Sequence, residues 1–156
     1  MELIIAAVGT RMPDWVDTAF AEYQKRMPRE ARMRLVEIKP EKRDGGKTTQ
    51  QIIHMEAARI AAALPKDCYR IVLDERGKQL TSVALADELQ HWLATGRDTA
   101  LIIGGADGLA PEIKARADFT WALSALTLPH ALVRVMLAEQ LYRATSIAHQ
   151  HPYHRD

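Results

Sequence analysis

The chain has 156 residues, 47% of them hydrophobic, and 21 Lys and Arg against 20 Asp and Glu give a formal charge of +1. That length suits one well-buried domain over residues 1–156 and excludes two ordinary catalytic domains. Near-neutrality excludes any argument for nucleic acid from bulk charge, and the lone Cys68 excludes an internal disulfide framework and suits a reducing compartment, the cytoplasm.

The opening MELIIAAVG is apolar but lacks a basic leader, and no stretch approaches the roughly 20 apolar residues of a membrane helix; it reads as a buried strand over 2–8. A helix follows Pro13, from Asp14 to about Arg26, with Trp15, Ala19 and Tyr23 at four-residue spacing as its apolar face. A second strand spans 32–38. Residues 39–47, KPEKRDGGK, then form a charged loop around Gly45 and Gly46, with the composition of a mobile lid.

Between Thr48 and Leu64, the residues Ile53, Ala57, Ile60 and Leu64 recur at helical spacing until Pro65 closes the segment. A third strand covers 69–73. The next helix starts at Thr81 or Ser82 as N-cap, buries Leu85, Leu89, Trp92 and Leu93, and ends at Gly96. Strands at 99–103 and 119–123 bracket a short helix from Pro111 to about Ala117. This alternation predicts an α/β fold, a mostly parallel sheet with helices on both faces and ligands beyond the carboxyl ends of the strands.

The final helix, His130 to Ala148, carries Leu132, Val133, Val135, Met136, Leu137, Leu141 and Tyr142 around most of its circumference. A surface helix would leave a broad polar face, so either the domain buries this helix centrally or a second subunit covers it; the small size favours a homodimer. Arg134 and Arg143 lie nine residues apart and point in nearly opposite directions, one suited to an active site and the other to an interface.

Three segments are candidates for chemistry. LIIGGADGL, Leu101 to Leu109, runs a strand into Gly104, Gly105 and Gly108, which permits close approach of a ligand to the backbone. Its G-G-x-x-G spacing departs from the dinucleotide fingerprint, so a nucleotide-dependent oxidoreductase is a weak alternative. LSALTLPH, Leu123 to His130, is too apolar for a surface loop; it is either buried over a ligand or an ordinary connection capped by Ser124 or Thr127. The tail HQHPYHRD holds His149, His151 and His154 but only Asp156 as a nearby carboxylate, a poor zinc set; Tyr153 with Arg155 suits stacking on a base and contacting phosphate, and a frayed terminus is the plain alternative. Residues 22–47 hold nine Lys or Arg against five Asp or Glu, so Arg26, Arg29, Arg32, Arg34, Lys39, Lys42, Arg43 and Lys47 are either a phosphate-facing patch or solvated surface.

Taken together, AVGTRMPDWV, LIIGGADGL, SALTLPHALVRVMLAEQLYRA and the terminal HPYHR resemble one family from end to end, the ribosomal large-subunit pseudouridine methyltransferases of the SPOUT class. The resemblance implies an α/β fold whose C-terminal part is threaded into a trefoil knot, against the usual rule. It also implies a homodimer that moves a methyl group from S-adenosylmethionine to N3 of a pseudouridine in the intersubunit stem-loop of 23S rRNA, on the ribosome. By motif, the cofactor pocket would be lined by Leu73, Gly104, Gly105, Ser124, Ala125, Leu126, Thr127, Leu128 and Pro129. Arg143 and Arg155 would stabilise the anion developing at N3, with His130 and His154 as candidate proton acceptors and Tyr153 and Trp15 gripping the nucleotide. Arg26, Arg29, Lys42 and Arg43 would contact RNA, and no metal is implied. The segment ERGKQL after Asp74, which the resemblance sets beside the cofactor, departs in detail from the family pattern. Two further alternatives are a non-catalytic ribosome-binding protein of the same fold and a SPOUT enzyme acting on tRNA.

Overall fold

The computed structural model describes residues 1–155, and Asp156, the one carboxylate of the terminal histidine cluster, lies outside them. Five strands form one sheet: β1 (Glu2–Val8), β2 (Arg32–Ile38), β3 (Tyr69–Gln79), β4 (Thr99–Ile103) and β5 (Phe119–Ala122). Their order is β2-β1-β4-β3-β5, and every pairing is parallel. Five helices connect and cover them: α1 (Asp14–Gln24), α2 (Thr49–Ala63), α3 (Ser82–Ala94), α4 (Pro111–Ala115) and α5 (His130–Ala148).

Alternation along β1 explains the layering, because successive side chains of a strand leave opposite faces. Leu3, Ile5 and Ala7 join Phe20 of α1, Leu85, Leu89 and Trp92 of α3, and Leu137 and Leu141 of α5 on one face. Ile4, Ala6 and Val8 join Ala57 and Ile60 of α2 and Ile113 of α4 on the other. A strand buried on both faces reads as a continuous apolar run, which is why residues 2–8 carry no polar alternation.

Local chemistry sets the helix ends. Thr48 Oγ1 accepts from the Gln51 N–H at 3.1 Å while Gln51 Oε1 accepts from the Thr48 N–H at 2.9 Å, a reciprocal cap that starts α2. Thr81 Oγ1 caps α3 through the Ala84 N–H, and Gly96 at φ +70° follows its last turn. The face expected for α1 is displaced by one residue: Val16 and Phe20 are buried, whereas Trp15 is 54% exposed. The i, i+4 spacing is right, but α5 and β2 pack against α1, and the stripe that turns inward starts at Val16.

β3 runs six residues beyond the predicted Leu73. Trp121 of β5 is opposite both Leu73 and Lys78, so residues 74–77 leave the ladder and return to it. Gly77 makes the return possible: a Cβ there would lie 2.7 Å from backbone atoms of Thr120 and Trp121. α5 packs between α1 and α3, and every residue from Ala131 to Ala148 is at least partly buried. Among the described residues, no helix is long and apolar enough to cross a membrane.

Candidate functional site

Connections leaving β3 and β4 depart in opposite directions across the sheet, and the crevice beyond such a reversal is where parallel sheets hold ligands. A cleft of about 500 Å³ opens there, inside the roughly 300–1,000 Å³ range of small-molecule sites. Its floor is Ile103, Gly104 and Gly105 at the end of β4; one wall is the excursion Leu73–Arg76, and the other is Leu123 to Leu128 with His130 and Val133 of α5.

The glycine turn folds onto itself. Gly105 and Gly108 form a bridge, and a Cβ on Gly104 would meet the Gly108 carbonyl carbon and Leu109 Cγ at 2.9 Å. On Gly105 it would meet Val8 Cγ1 at 3.0 Å. Gly108, at φ +81°, has open space before it. Side chains at the first two positions are thus excluded by the protein itself, and the resulting floor is bare main chain.

Seven of the nine residues expected at a cofactor line this cleft: Leu73, Gly104, Gly105, Ser124, Leu126, Thr127 and Leu128. Ala125 and Pro129 do not; both are exposed, and Pro129 is the N-cap of α5. Neither Ser124 nor Thr127 caps that helix, because Ser124 Oγ is used in accepting from the Leu126 N–H at 2.9 Å. The segment ERGKQL, set beside the cofactor by the resemblance, does reach this cleft, where Asp74, Glu75 and Arg76 are wall residues; local pattern alone, which ends the strand at Leu73, gives no reason to aim them there. Asp74 accepts from the Arg76 N–H and pairs with Lys114 Nζ at 3.1 Å, and these contacts hold its carboxyl below the usual aspartate range.

A second cluster occupies the far end of α5. Arg143 donates through Nε at 2.9 Å and Nη2 at 2.7 Å to Glu139 Oε1, and Tyr153 Oη donates to the same oxygen at 3.1 Å. Arg143 Nη1 lies 3.1 Å from His154 Nδ1; because a guanidinium only donates, Nδ1 accepts and the ring proton sits on Nε2. Tyr153 stacks edge-on against Tyr142 with ring centres 4.7 Å apart, beneath the Arg143 guanidinium at 4.8 Å. Burial first, then hydrogen bonding, pushes the Tyr153 phenol well above its ordinary range, so it stays a donor at neutral pH. Glu139 raises the affinity of Arg143 for its proton further.

Arg143, Tyr153 and His154 therefore meet as expected, while Arg155 is exposed next to them in the chain. His130 belongs to the cleft instead. Thirteen residues separate it from Arg143 on one helix, roughly 20 Å at 1.5 Å per residue. Arg134 and Arg143 do face apart, but Arg134 points inward, 1% exposed, and serves neither the cleft nor a surface.

The basic residues of 22–47 do not form one patch. Arg26 pairs with Glu22, Arg34 with Glu2, Arg43 with Asp107 and Lys47 with Glu41. Arg26 and Arg29 lie at the tail end of the molecule, where His149 reaches Glu30, whereas Arg43 meets the glycine turn at the cleft. The side chains of Arg29 and Lys42 have no partner among the described residues. Residues 39–47 are also tied down more firmly than a free lid: buried Glu41 accepts from Lys47 and Arg59, and its N–H donates to Glu56 Oε2.

A family model described as a predicted SPOUT methyltransferase matches residues 1–154. The ribosomal RNA large subunit methyltransferase H of Ralstonia nicotianae is 61% identical over 155 residues, covering 99% of either chain. Its namesake from Laribacter hongkongensis is 58% identical over 156 residues, the full length of both. A solved structure of a probable methylase family protein from Haemophilus influenzae covers 99% of this chain and 70% of its own, with a TM-score of 0.58 at 12% identity; likeness at that identity shows the fold alone.

Proposed function

The chain belongs to the SPOUT methyltransferase family, and on that premise we propose that it is an S-adenosylmethionine-dependent methyltransferase of large-subunit ribosomal RNA. The target we propose is N3 of a pseudouridine in the intersubunit stem-loop of 23S rRNA, methylated on the ribosome in the cytoplasm by a homodimer, with the C-terminal part of each chain threaded as a trefoil knot. The observation that carries the reading is the cleft, whose bare-backbone floor and apolar wall from Leu123 to Leu128 suit the adenosine of such a cofactor.

S-adenosylmethionine supplies a methyl group already activated on a sulfonium. Gly104 and Gly105 would hold the cofactor from below, and Leu73 and the segment Ser124 to Leu128 from the sides. What remains for the protein is orientation and charge. The N3 proton of pseudouridine belongs to a weakly acidic imide, so a cation beside the developing anion lowers the barrier to its loss. Arg143 carries that charge, held by Glu139 with Nη1 turned to His154. Arg155 is the second cation and His130 a candidate proton acceptor; His154 takes that role only once its Nδ1 is released from Arg143.

Distance supports the dimer: the Arg143 cluster lies roughly 20 Å along α5 from His130, far from the cleft of its own chain. A two-fold, antiparallel pairing of α5 helices would bring the tail of one chain to the cleft of the other. Support comes from the apolar outer positions Leu132, Val135 and Met136, and from Leu126, 74% exposed on the cleft rim.

The test is methyl transfer. Ribosomes from cells lacking this protein are incubated with the purified chain and labelled S-adenosylmethionine, and the intersubunit stem-loop is read by mass spectrometry. One added methyl on the pseudouridine base is expected; no transfer to large-subunit RNA would remove the assignment.

A further inference from the structure

Arg134 is the one fully buried arginine among the described residues, on the first turns of α5 and directly after cleft-lining Val133. Its guanidinium is doubly used: Nη1 donates to Glu37 Oε2 at 2.7 Å and Nη2 to the Gly9 carbonyl at 2.9 Å. Burying a charge is costly even when it is paired, and apolar residues of the same volume commonly serve stability as well. The pairing therefore asks for another purpose. What Arg134 grips is the loop between β1 and α1.

That loop is unusual backbone. Gly9 has φ +138°, and a Cβ there would stand 2.9 Å from Met12 Cε and 3.1 Å from Arg134 Nη2. Arg11 has φ +57°, a left-handed conformation uncommon for a residue with a side chain. Such strain persists only where surrounding contacts over-determine it; here they are the Arg134 bond to the Gly9 carbonyl and the Gly9 N–H bond to the Ile38 carbonyl at 2.8 Å. The loop starts beside the cleft, since Ala7 pairs in register with Ile103 and Val8 touches the space over Gly105. Its exposed residues include Arg11, whose side chain has no partner among the described residues, and the first turn of α1 that it leads into carries the exposed Trp15.

We infer that Arg134 is a positioning residue that clamps the β1–α1 loop so that Arg11 contacts phosphate and Trp15 stacks a base of the RNA segment entering the cleft. The inference rests on the RNA methyltransferase reading above. An exposed indole and an uncommitted guanidinium a few residues apart are what single-stranded RNA requires: a flat apolar surface for a base and a cation for the backbone. The clamp explains the buried charge. A guanidinium reaches two acceptors in fixed directions, whereas a lysine ammonium is a point charge on a flexible stem without that fork.

The experiment is a double-mutant cycle with ribosomes as substrate, using Arg11→Ala, Arg134→Lys and the pair, with KM and kcat measured alongside calorimetry of S-adenosylmethionine. Each single variant is expected to raise KM for the ribosome roughly tenfold, as for removal of a charged hydrogen bond, with cofactor affinity within about twofold of wild type. The pair is expected to be no worse than either single, because Arg134 acts through the loop that carries Arg11. Multiplying effects, or an unchanged KM in Arg11→Ala, would overturn the inference. If Arg134→Lys fails to fold, Glu37→Gln replaces it, keeping an acceptor but losing the charge; a smaller rise in KM that does not multiply with Arg11→Ala is expected, and a multiplying one overturns. Failure of the methyltransferase reading itself would show in the wild-type chain.

Discussion

Glu139 Oε1 lies 2.7 Å from Arg143 Nη2 and 2.9 Å from its Nε, so one carboxylate oxygen holds the guanidinium along its edge. Tyr153 donates to the same atom, which fastens the tail to α5 and fixes where Arg143 points. Removing the carboxylate should release both. For Glu139→Ala, methyl transfer is expected to fall about tenfold or more, in line with removal of a charge-assisted hydrogen bond, while cofactor affinity is unchanged. Single-turnover rates with saturating S-adenosylmethionine check this, and a wild-type rate would separate Glu139 from the chemistry.

Division of the site between two chains has a quantitative signature. Arg143→Ala spoils the tail and leaves the cleft, whereas Gly104→Val forces atoms into the Gly108 backbone and spoils the cleft alone. Neither homodimer is expected to work. Refolded as an equal mixture, half of the dimers are mixed and each holds one intact composite site, so about one quarter of wild-type activity should return. A site built within one chain would recover nothing.

Gly77 permits the return of β3 to β5, and a methyl group there meets backbone that cannot rotate away. Gly77→Ala is expected to cost about 1–3 kcal/mol, the usual penalty of overpacking, with a fall in Tm of several degrees in a chain of this size. Because the excursion 74–77 forms a cleft wall, cofactor affinity should fall as well. Thermal unfolding and calorimetry test the two effects; an unchanged melting temperature would contradict the close approach.

Glu41 gains acid-sensitive stability. The hydrogen bond from Lys47, followed by the Lys42 N–H and the charge of Arg59, lowers its carboxyl from near 4.5 to about 2. A depressed acid stabilises the folded state above the unfolded value and loses that contribution as pH falls through the folded one. Wild type should therefore exceed Glu41→Gln in stability at pH 6, with the gap closing between pH 4.5 and about 2. Denaturant unfolding across that range measures it; a gap independent of pH would mean that the ion pairs are not its source.

Arg29 and Lys42 keep their side chains uncommitted, unlike Arg26 and Arg43. Arg29→Ala and Lys42→Ala are each expected to weaken RNA binding and lower the slope of log affinity against log salt by about 0.7–0.9 for each phosphate no longer neutralised. Filter binding of the ribosomal stem-loop at several salt concentrations reads the slope. Unaltered slopes would take these two residues off the RNA surface.

Much of this molecule is local and therefore legible. All five strands and all five helices follow from short-range pattern, as at Thr81, where a hydroxyl caps the next turn, or Gly96, where a left-handed residue ends it. The apolar circumference of α5 was equally visible, and helices on two sides account for much of it. Most of the cleft was legible through Gly104, Gly105 and the apolar loop. The α1 face was misjudged because Trp15 and Val16 are both apolar, and spacing alone does not say which of two adjacent stripes turns inward.

Sequence alone determined the periodicities, the caps, the bare glycine turn and the family, all of which depend on neighbours within a few positions or on motif order. Only the tertiary structure decided that Arg134 goes inside while Arg143 faces a folded-back tail, and that the basic residues of 22–47 divide between two ends of the molecule. It also decided that residues 74–77 leave the ladder to wall the cleft. The physical reason is that charge pairing and close backbone approach are properties of residues brought together from distant parts of the chain: Arg134 meets Glu37 across 97 positions and Gly9 across 125, a meeting no local pattern encodes.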